Sequence, residues 1–205
     1  MRISTRMAVL LALGTVGSGN AALAEGLCAT PEQARQIQAF YQDKPATMPV
    51  IAGRNLKLPE AVVASGLPAD QAAGIKGEAF MEVWAAMTAW KEAVFLITKG
   101  QNVFEVVSPI AAATPSKTSQ YTNIAYEHPL RGHLRPDLFR SIYAVALPGK
   151  DGAMARGVLF YDADGASVFG AFISGEGAPP PASEIAKFDD LMRLMKARPQ
   201  VCPGA

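Results

Sequence analysis

The chain has 205 residues, half of them hydrophobic, with 19 Lys+Arg against 18 Asp+Glu. Arg2 and Arg6 are the only charged residues among the first 24, so without that segment the net charge falls from +1 to −1. A domain so near neutrality gives no electrostatic reason to expect nucleic acid or anionic lipid as a partner.

The first 24 residues read as a secretory signal. Arg2 and Arg6 give the positive start, Met7 to Val16 form an apolar run too short to span a bilayer, and Ala22-Leu23-Ala24 supplies a small-x-small cleavage site. The expected product is a single exported domain over residues 25–205, periplasmic or secreted, cut after Ala24 and without stable insertion in a membrane. It keeps two cysteines, Cys28 and Cys202, one near each end. An even pair in an exported chain is expected to close as a disulfide. No histidine or further cysteine lies beside either residue to complete a metal site.

Thr30-Pro31-Glu32-Gln33 opens a helix that should run to about Asp43, with Thr30 as N-cap and Gln33 closing a capping box. Two short helices follow, around Thr47 to Gly53 and Pro59 to Ser65. Glu78 to Lys91 is a stronger helix, with Phe80, Val83, Trp84, Met87 and Trp90 on one face as core. The period then changes to that of strands. Ala93 to Thr98 and Val103 to Ser108 form a hairpin across Lys99-Gly100-Gln101-Asn102. Residues 109–120 read as a long loop and Tyr121 to Tyr126 as another strand. Ser141 to Leu147, Ala155 to Tyr161 and Ser167 to Ile173 are three more strands, joined by Gly- and Asp-rich turns. The loop Ser174 to Pro181 leads to an amphipathic helix from about Ala182 to Arg198. This order predicts an α+β fold with an antiparallel sheet, short N-terminal helices and a C-terminal helix.

No Ser-nucleophile elbow, phosphate-binding glycine loop or zinc-protease motif is present, and the chain has two histidines, His128 and His133. Asp162-Ala163-Asp164-Gly165 lacks the further acidic positions of a calcium loop and reads as a hairpin turn. The densest chemical vocabulary lies in residues 121–137, YTNIAYEHPLRGHLRPD. Imidazole and phenolate are iron ligands, and guanidinium groups suit carboxylates. Such a set could serve a haem or form an ordinary polar rim, with Arg131 and Arg135 paired to Glu127 or Asp137. His128, before Pro129 in a turn, is expected at the surface.

From about Ala34 to Lys196 the sequence resembles the HutX/ChuX haem-utilisation carriers, which are similar to one half of the two-repeat HemS/ChuS haem-trafficking or haem-degrading proteins. The resemblance rests on Leu58–Asp70 (LPEAVVASGLPAD), the V-W-x-x-M-x-x-W helix of Val83–Trp90, and Val103–Val106 (VFEV). It continues in Gly132-His133-Leu134-Arg135-Pro136-Asp137 and in Phe160–Phe169 (FYDADGASVF). It implies an antiparallel α+β fold, commonly dimeric, that binds haem as cargo in a cleft beside the sheet. His133 falls on the family's cleft histidine, Tyr121 with Asn123 on its Y-F-N segment, and Arg135 on the basic residue after the histidine. His133 or Tyr121 would then ligate iron and Arg131 and Arg135 would hold the propionates. The second histidine of some members would lie near Thr98, and the axial histidine of the two-repeat proteins near Val107. The expectation is an exported haem-binding protein that carries or buffers haem for iron uptake, handing it to haem-uptake proteins, and is not an enzyme. Haem breakdown, or a non-haem interaction module on the same fold, are the alternatives.

Overall fold

The computed structural model describes residues 27–100, 102–149, 153–174 and 179–202. The expected signal segment lies outside them, as do Gln101, residues 150–152 of one turn and residues 175–178 of the loop before the last helix.

Three helices come first: α1 (Pro31–Asp43), α2 (Pro49–Leu56) and α3 (Glu60–Ser65). Helix α1 starts where the local signal places it. Gln33 N–H donates to Thr30 Oγ1 at 3.2 Å, and Thr30 N–H donates to Gln33 Oε1 at 2.8 Å, so two orphan donors are satisfied reciprocally. Next come β1 (Ala72–Lys76), a 3-10 turn at Gly77–Ala79 and α4 (Phe80–Met87). The hairpin β2 (Ala93–Lys99) and β3 (Asn102–Ser108) follows, then three short strands, β4 (Ala113–Pro115), β5 (Thr122–Ile124) and β6 (Gly132–Leu134). The chain ends with β7 (Ser141–Pro148), β8 (Met154–Tyr161), β9 (Ser167–Ile173) and α5 (Ala182–Lys196). The architecture is the α+β arrangement expected, with strands β1 and β6 added to those the sequence announced and two further differences. Helix α4 ends at Met87, because the chain must turn before Ala93 enters the sheet, although Trp90 is still buried as predicted. Residues 109–120 are not all loop, since Ala113–Pro115 pairs with β5.

Six strands form an antiparallel sheet in the order β1-β7-β8-β9-β2-β3, and β4-β5-β6 form a second, small antiparallel sheet. Both faces of the sheet's central strands are covered, so these strands read as continuous apolar runs, while the edge strand β3 is largely exposed. Ile142, Ala144, Val158, Phe160, Phe169 and Ala171 face α4, α5 and the small sheet. Tyr143, Val145, Leu159, Tyr161 and Phe172 face α1–α3. The first layer is aromatic: Phe160 stacks on Phe169 at 4.4 Å between centroids, and Trp84, 1 % exposed, lies against both. Its indole N–H donates to Ala111 O at 2.9 Å, which ties the segment leading into β4 to helix α4.

Strand β1 is an edge, and the C-terminal tail covers it. Gly74 N–H donates to Gln200 Oε1 at 3.0 Å, and Val201 N–H donates to Gly74 O at 2.8 Å. The next residue, Cys202, is joined to Cys28 by the disulfide, across 174 positions of sequence. Tyr143 Oη lies 3.4 Å from Cys202 Sγ. One covalent bond therefore holds both termini of the domain and keeps an edge strand from offering unpaired groups. Among the described residues no helix is long and apolar enough to cross a membrane. Opening the disulfide with Cys28→Ser/Cys202→Ser is expected to cost up to about 5 kcal/mol in the chain-entropy account. It should also free the tail, so that hydrogen exchange at the Gly74 amide accelerates. Thermal unfolding and exchange mass spectrometry of the double variant measure the two effects.

Candidate functional site

The candidate residues meet on the small sheet, and strand geometry explains how. Side chains alternate along a strand, so Thr122 and Ile124, both buried, turn inward while Tyr121 and Asn123 turn outward. The register sets Asn123 opposite His133 and Thr122 opposite Leu134. His133 therefore shares the outer face with Asn123, and Arg135 shares it with Tyr121. Gly132, the glycine of the Gly-His-Leu-Arg motif, enters β6 at φ +154°, a backbone angle that other residues adopt rarely.

The contacts on that face are specific. His133 Nδ1 lies 2.7 Å from Asn123 Oδ1. The Tyr121 and His133 rings meet edge to face at 6.1 Å. The Arg135 guanidinium lies over the Tyr121 ring, 5.8 Å from its centroid. Arg135 also grips Asp137 with two hydrogen bonds, Nε to Oδ1 at 2.8 Å and Nη2 to Oδ2 at 2.6 Å. The hydrogen bonds from Arg135 hold the Asp137 carboxyl below its ordinary range, and Asp137 in turn raises the guanidinium. The Arg135–Asp137 ion pair, the alternative to a propionate contact in the sequence, is formed. Arg131 stands apart from this group, over the Tyr126 ring at 5.9 Å. His133 is exposed and Tyr121 is 46 % exposed. His128 is half-buried rather than fully at the surface.

Chemically, the face offers a phenol with an imidazole and a guanidinium each about 6 Å from it. Because Asn123 Oδ1 is an acceptor, Nδ1–H of a neutral His133 donates to it, and the free lone pair is then on Nε2. Asn123 thus fixes the tautomer of His133. The Asp162 turn is a plain hairpin: Asp162 Oδ1 accepts from Asp164 N and Ala166 N, each at 3.0 Å. Among the described residues no cluster of three or more His, Cys, Asp and Glu could hold a metal ion.

A second feature is an apolar cleft of about 400 Å³ between α2 and the outer face of β2 and β3. Val94, Leu96, Val103 and Phe172 wall it. Thr98 also lines it and donates its hydroxyl to Ser167 O at 2.7 Å. Thr98 and Val107 share this face through the register Thr98–Val103 and Val94–Val107. The cleft holds Glu60, which the sequence reading passed over. Burial pushes its carboxyl up, against the Ser167 N–H and Arg54. Tyr121, His133, Arg131 and Arg135 do not line this cleft.

These observations meet the comparisons with known proteins. Residues 73–191, more than half of the chain, match the family described as haem utilisation ChuX/HutX. No curated protein matches the sequence. Among solved structures, the Agrobacterium tumefaciens protein AGR_C_4470 superposes with a TM-score of 0.67 at 22 % identity, over 89 % of this chain and 99 % of its own. The heme-binding protein ChuX gives 0.68 at 16 %, over 78 % and 99 %. Holo-PhuS, a heme-binding protein from Pseudomonas aeruginosa, gives 0.67 at 19 % and covers 83 % of this chain. The Escherichia coli O157:H7 heme degrading enzyme ChuS gives 0.59 at 14 % and covers 75 %. This chain spans 47 % of the length of each of the last two.

The Asn123 contact generates a direct test. In a nitrogen-detected NMR spectrum at a pH where His133 is neutral, its proton should sit on Nδ1, and Asn123→Ala should shift the population toward the Nε2–H form. The match over residues 73–191 places the chain in the ChuX/HutX haem-utilisation family, and the fold agrees with it.

Proposed function

We propose that this protein binds haem and carries or buffers it outside the cytoplasm, without chemistry on the porphyrin. The observation that carries the reading is the shared outer face of β5 and β6. There His133 presents Nε2 with Nδ1 engaged by Asn123, beside the phenol of Tyr121 and the guanidinium of Arg135. An open nitrogen or phenolate oxygen suits ferric iron, and membership in a haem-utilisation family makes haem the cargo to test. His133 or Tyr121 supplies the iron ligand. Arg135 uses two N–H groups on Asp137 and keeps its other donors for a propionate, and Arg131 beside Tyr126 takes the second. The likeness to ChuX, a heme binding protein, agrees with this reading.

Export rests on the signal-like residues 1–24, and the Cys28–Cys202 disulfide suits an oxidising compartment. Haem-uptake proteins are the partners that such a carrier requires, and a second copy of the chain is a further candidate.

Hemin added to the purified protein should give a saturable, red-shifted Soret band. His133→Ala or Tyr121→Phe should change its position or weaken binding at least tenfold. A free-hemin spectrum at stoichiometric protein would end the proposal. The likeness to ChuS, a heme degrading enzyme, supports breakdown as a second reading. Ascorbate and oxygen decide between the two: a carrier keeps its Soret band, and an enzyme loses it and releases iron.

A further inference from the structure

A groove of about 910 Å³ runs between the end of β1 with its 3-10 turn and the segment 136–140 that follows the Gly-His-Leu-Arg motif. That is at the upper end of the roughly 300–1,000 Å³ typical of small-molecule sites. Phe80 and Phe139, 5.4 Å apart between ring centroids, stand in its walls with Met81 and Leu138. Both aromatics are buried, but Met81 is 36 % exposed and Leu138 57 % exposed, so apolar surface faces the opening. The groove cannot shut by simple collapse at its base. Gly77 N–H donates to Arg140 O at 3.2 Å, and a Cβ on Gly77 would stand 1.9 Å from Phe139 O, so the two walls already touch there.

The charges are as informative as the walls. Lys76 and Arg140 both line the groove. They are held near each other by the β1–β7 ladder, in which Lys76 pairs with Ser141. Among the described residues neither has a side-chain ion pair or hydrogen bond. Two carboxylates also line the groove, Glu78 and Asp137. Asp137 is taken up by Arg135, which leaves two uncommitted cations against one carboxylate.

We propose that this groove seats a flat apolar molecule bearing carboxylate arms, which Lys76 and Arg140 grip, and that it is a seat for the tetrapyrrole distinct from the iron-ligating face. The choice of a tetrapyrrole rests on the haem reading above; the site itself rests on the groove and its cations. The two seats are joined through one ion pair, because Arg135 covers the Tyr121 ring on one side and holds Asp137, a groove residue, on the other.

Metal-free protoporphyrin IX separates this seat from iron ligation. Titrated into the full chain and followed by porphyrin fluorescence, it should bind saturably. Lys76→Gln/Arg140→Gln should raise its Kd at least tenfold, and so should Leu138→Asp, which places a charge on an already exposed side chain. Lys117→Gln, an exposed cation away from the groove, serves as the control and should leave the Kd unchanged. The dimethyl ester of protoporphyrin, without free carboxylates, should lose the dependence on Lys76 and Arg140. Wild-type affinity in both groove variants, with their thermal unfolding unchanged, overturns the proposal, as does the absence of saturable binding. A hemin Soret shift that survives in those variants would then leave the haem reading standing. Conversely, porphyrin binding without any hemin shift would sink iron ligation and keep the groove.

Discussion

The register between β5 and β6 is the constraint on which the functional reading depends. A slip of one residue in a ladder of period 2 would send Asn123 and Tyr121 to one side and His133 and Arg135 to the other. What prevents the slip is burial. Thr122 and Ile124 are 5 % and 4 % exposed, and Leu134 packs on the same core. Strands of three residues contribute few ladder hydrogen bonds of their own, so the hydrophobic side of this small sheet fixes where its polar side points.

That burial requires a rigid support. The aromatic layer around Trp84, Phe160 and Phe169 supplies it on one face of the large sheet, and helices α1–α3 close the other face. Large aromatic side chains dominate such cores because each removes so much apolar area from water. The tail and its disulfide complete the frame at β1, the strand that leads into the 3-10 turn and the groove. Fixing Gly74 through Gln200 and Val201 therefore also steadies Lys76 two residues on.

Much of this was legible in the sequence, for reasons that differ by element. The capping box of Thr30 and Gln33 is local chemistry, and it placed the start of α1 correctly. Strands β7, β8 and β9 are long enough for their composition and turns to declare them. Strand β1, Ala-Ala-Gly-Ile-Lys, carries little strand propensity and exists because β7 and the tail flank it, so no local pattern announced it. Strands β4 and β6 are too short for a period to show. Within the candidate site, the residue types in 121–137 were visible as a cluster, and the match of His133 and Arg135 to the family motif came from resemblance. Their sharing of a face with Tyr121 needed the register. The meeting of Lys76 and Arg140 in one groove, and the raised Glu60 carboxyl in its cleft, come from tertiary proximity between distant segments and left no mark on the linear chain.

Arg135 occupies the position from which these parts can influence one another. Its guanidinium is shared between an aromatic face and a bidentate carboxylate, and both contacts draw on the same planar group. A propionate on the donors that Asp137 leaves free shares that plane and pulls on it from the other side. Any shift of the guanidinium toward the ligand loosens its hold on Asp137. The freed carboxylate then adds negative charge to a groove whose Lys76 and Arg140 are otherwise uncommitted, and it competes with an incoming carboxylate arm for those cations. On the proposed two-seat reading the coupling is antagonistic: a ligand on the His133–Tyr121 face weakens the groove, and occupation of the groove favours an Arg135 that stays on Asp137. For a carrier this has the right sign, since two seats that oppose each other let cargo leave one as it settles in the other. By reciprocity the antagonism must be equal in both directions. Its size is limited by exposure, because Arg135 and Asp137 remain 30 % and 48 % accessible and water screens what passes between them.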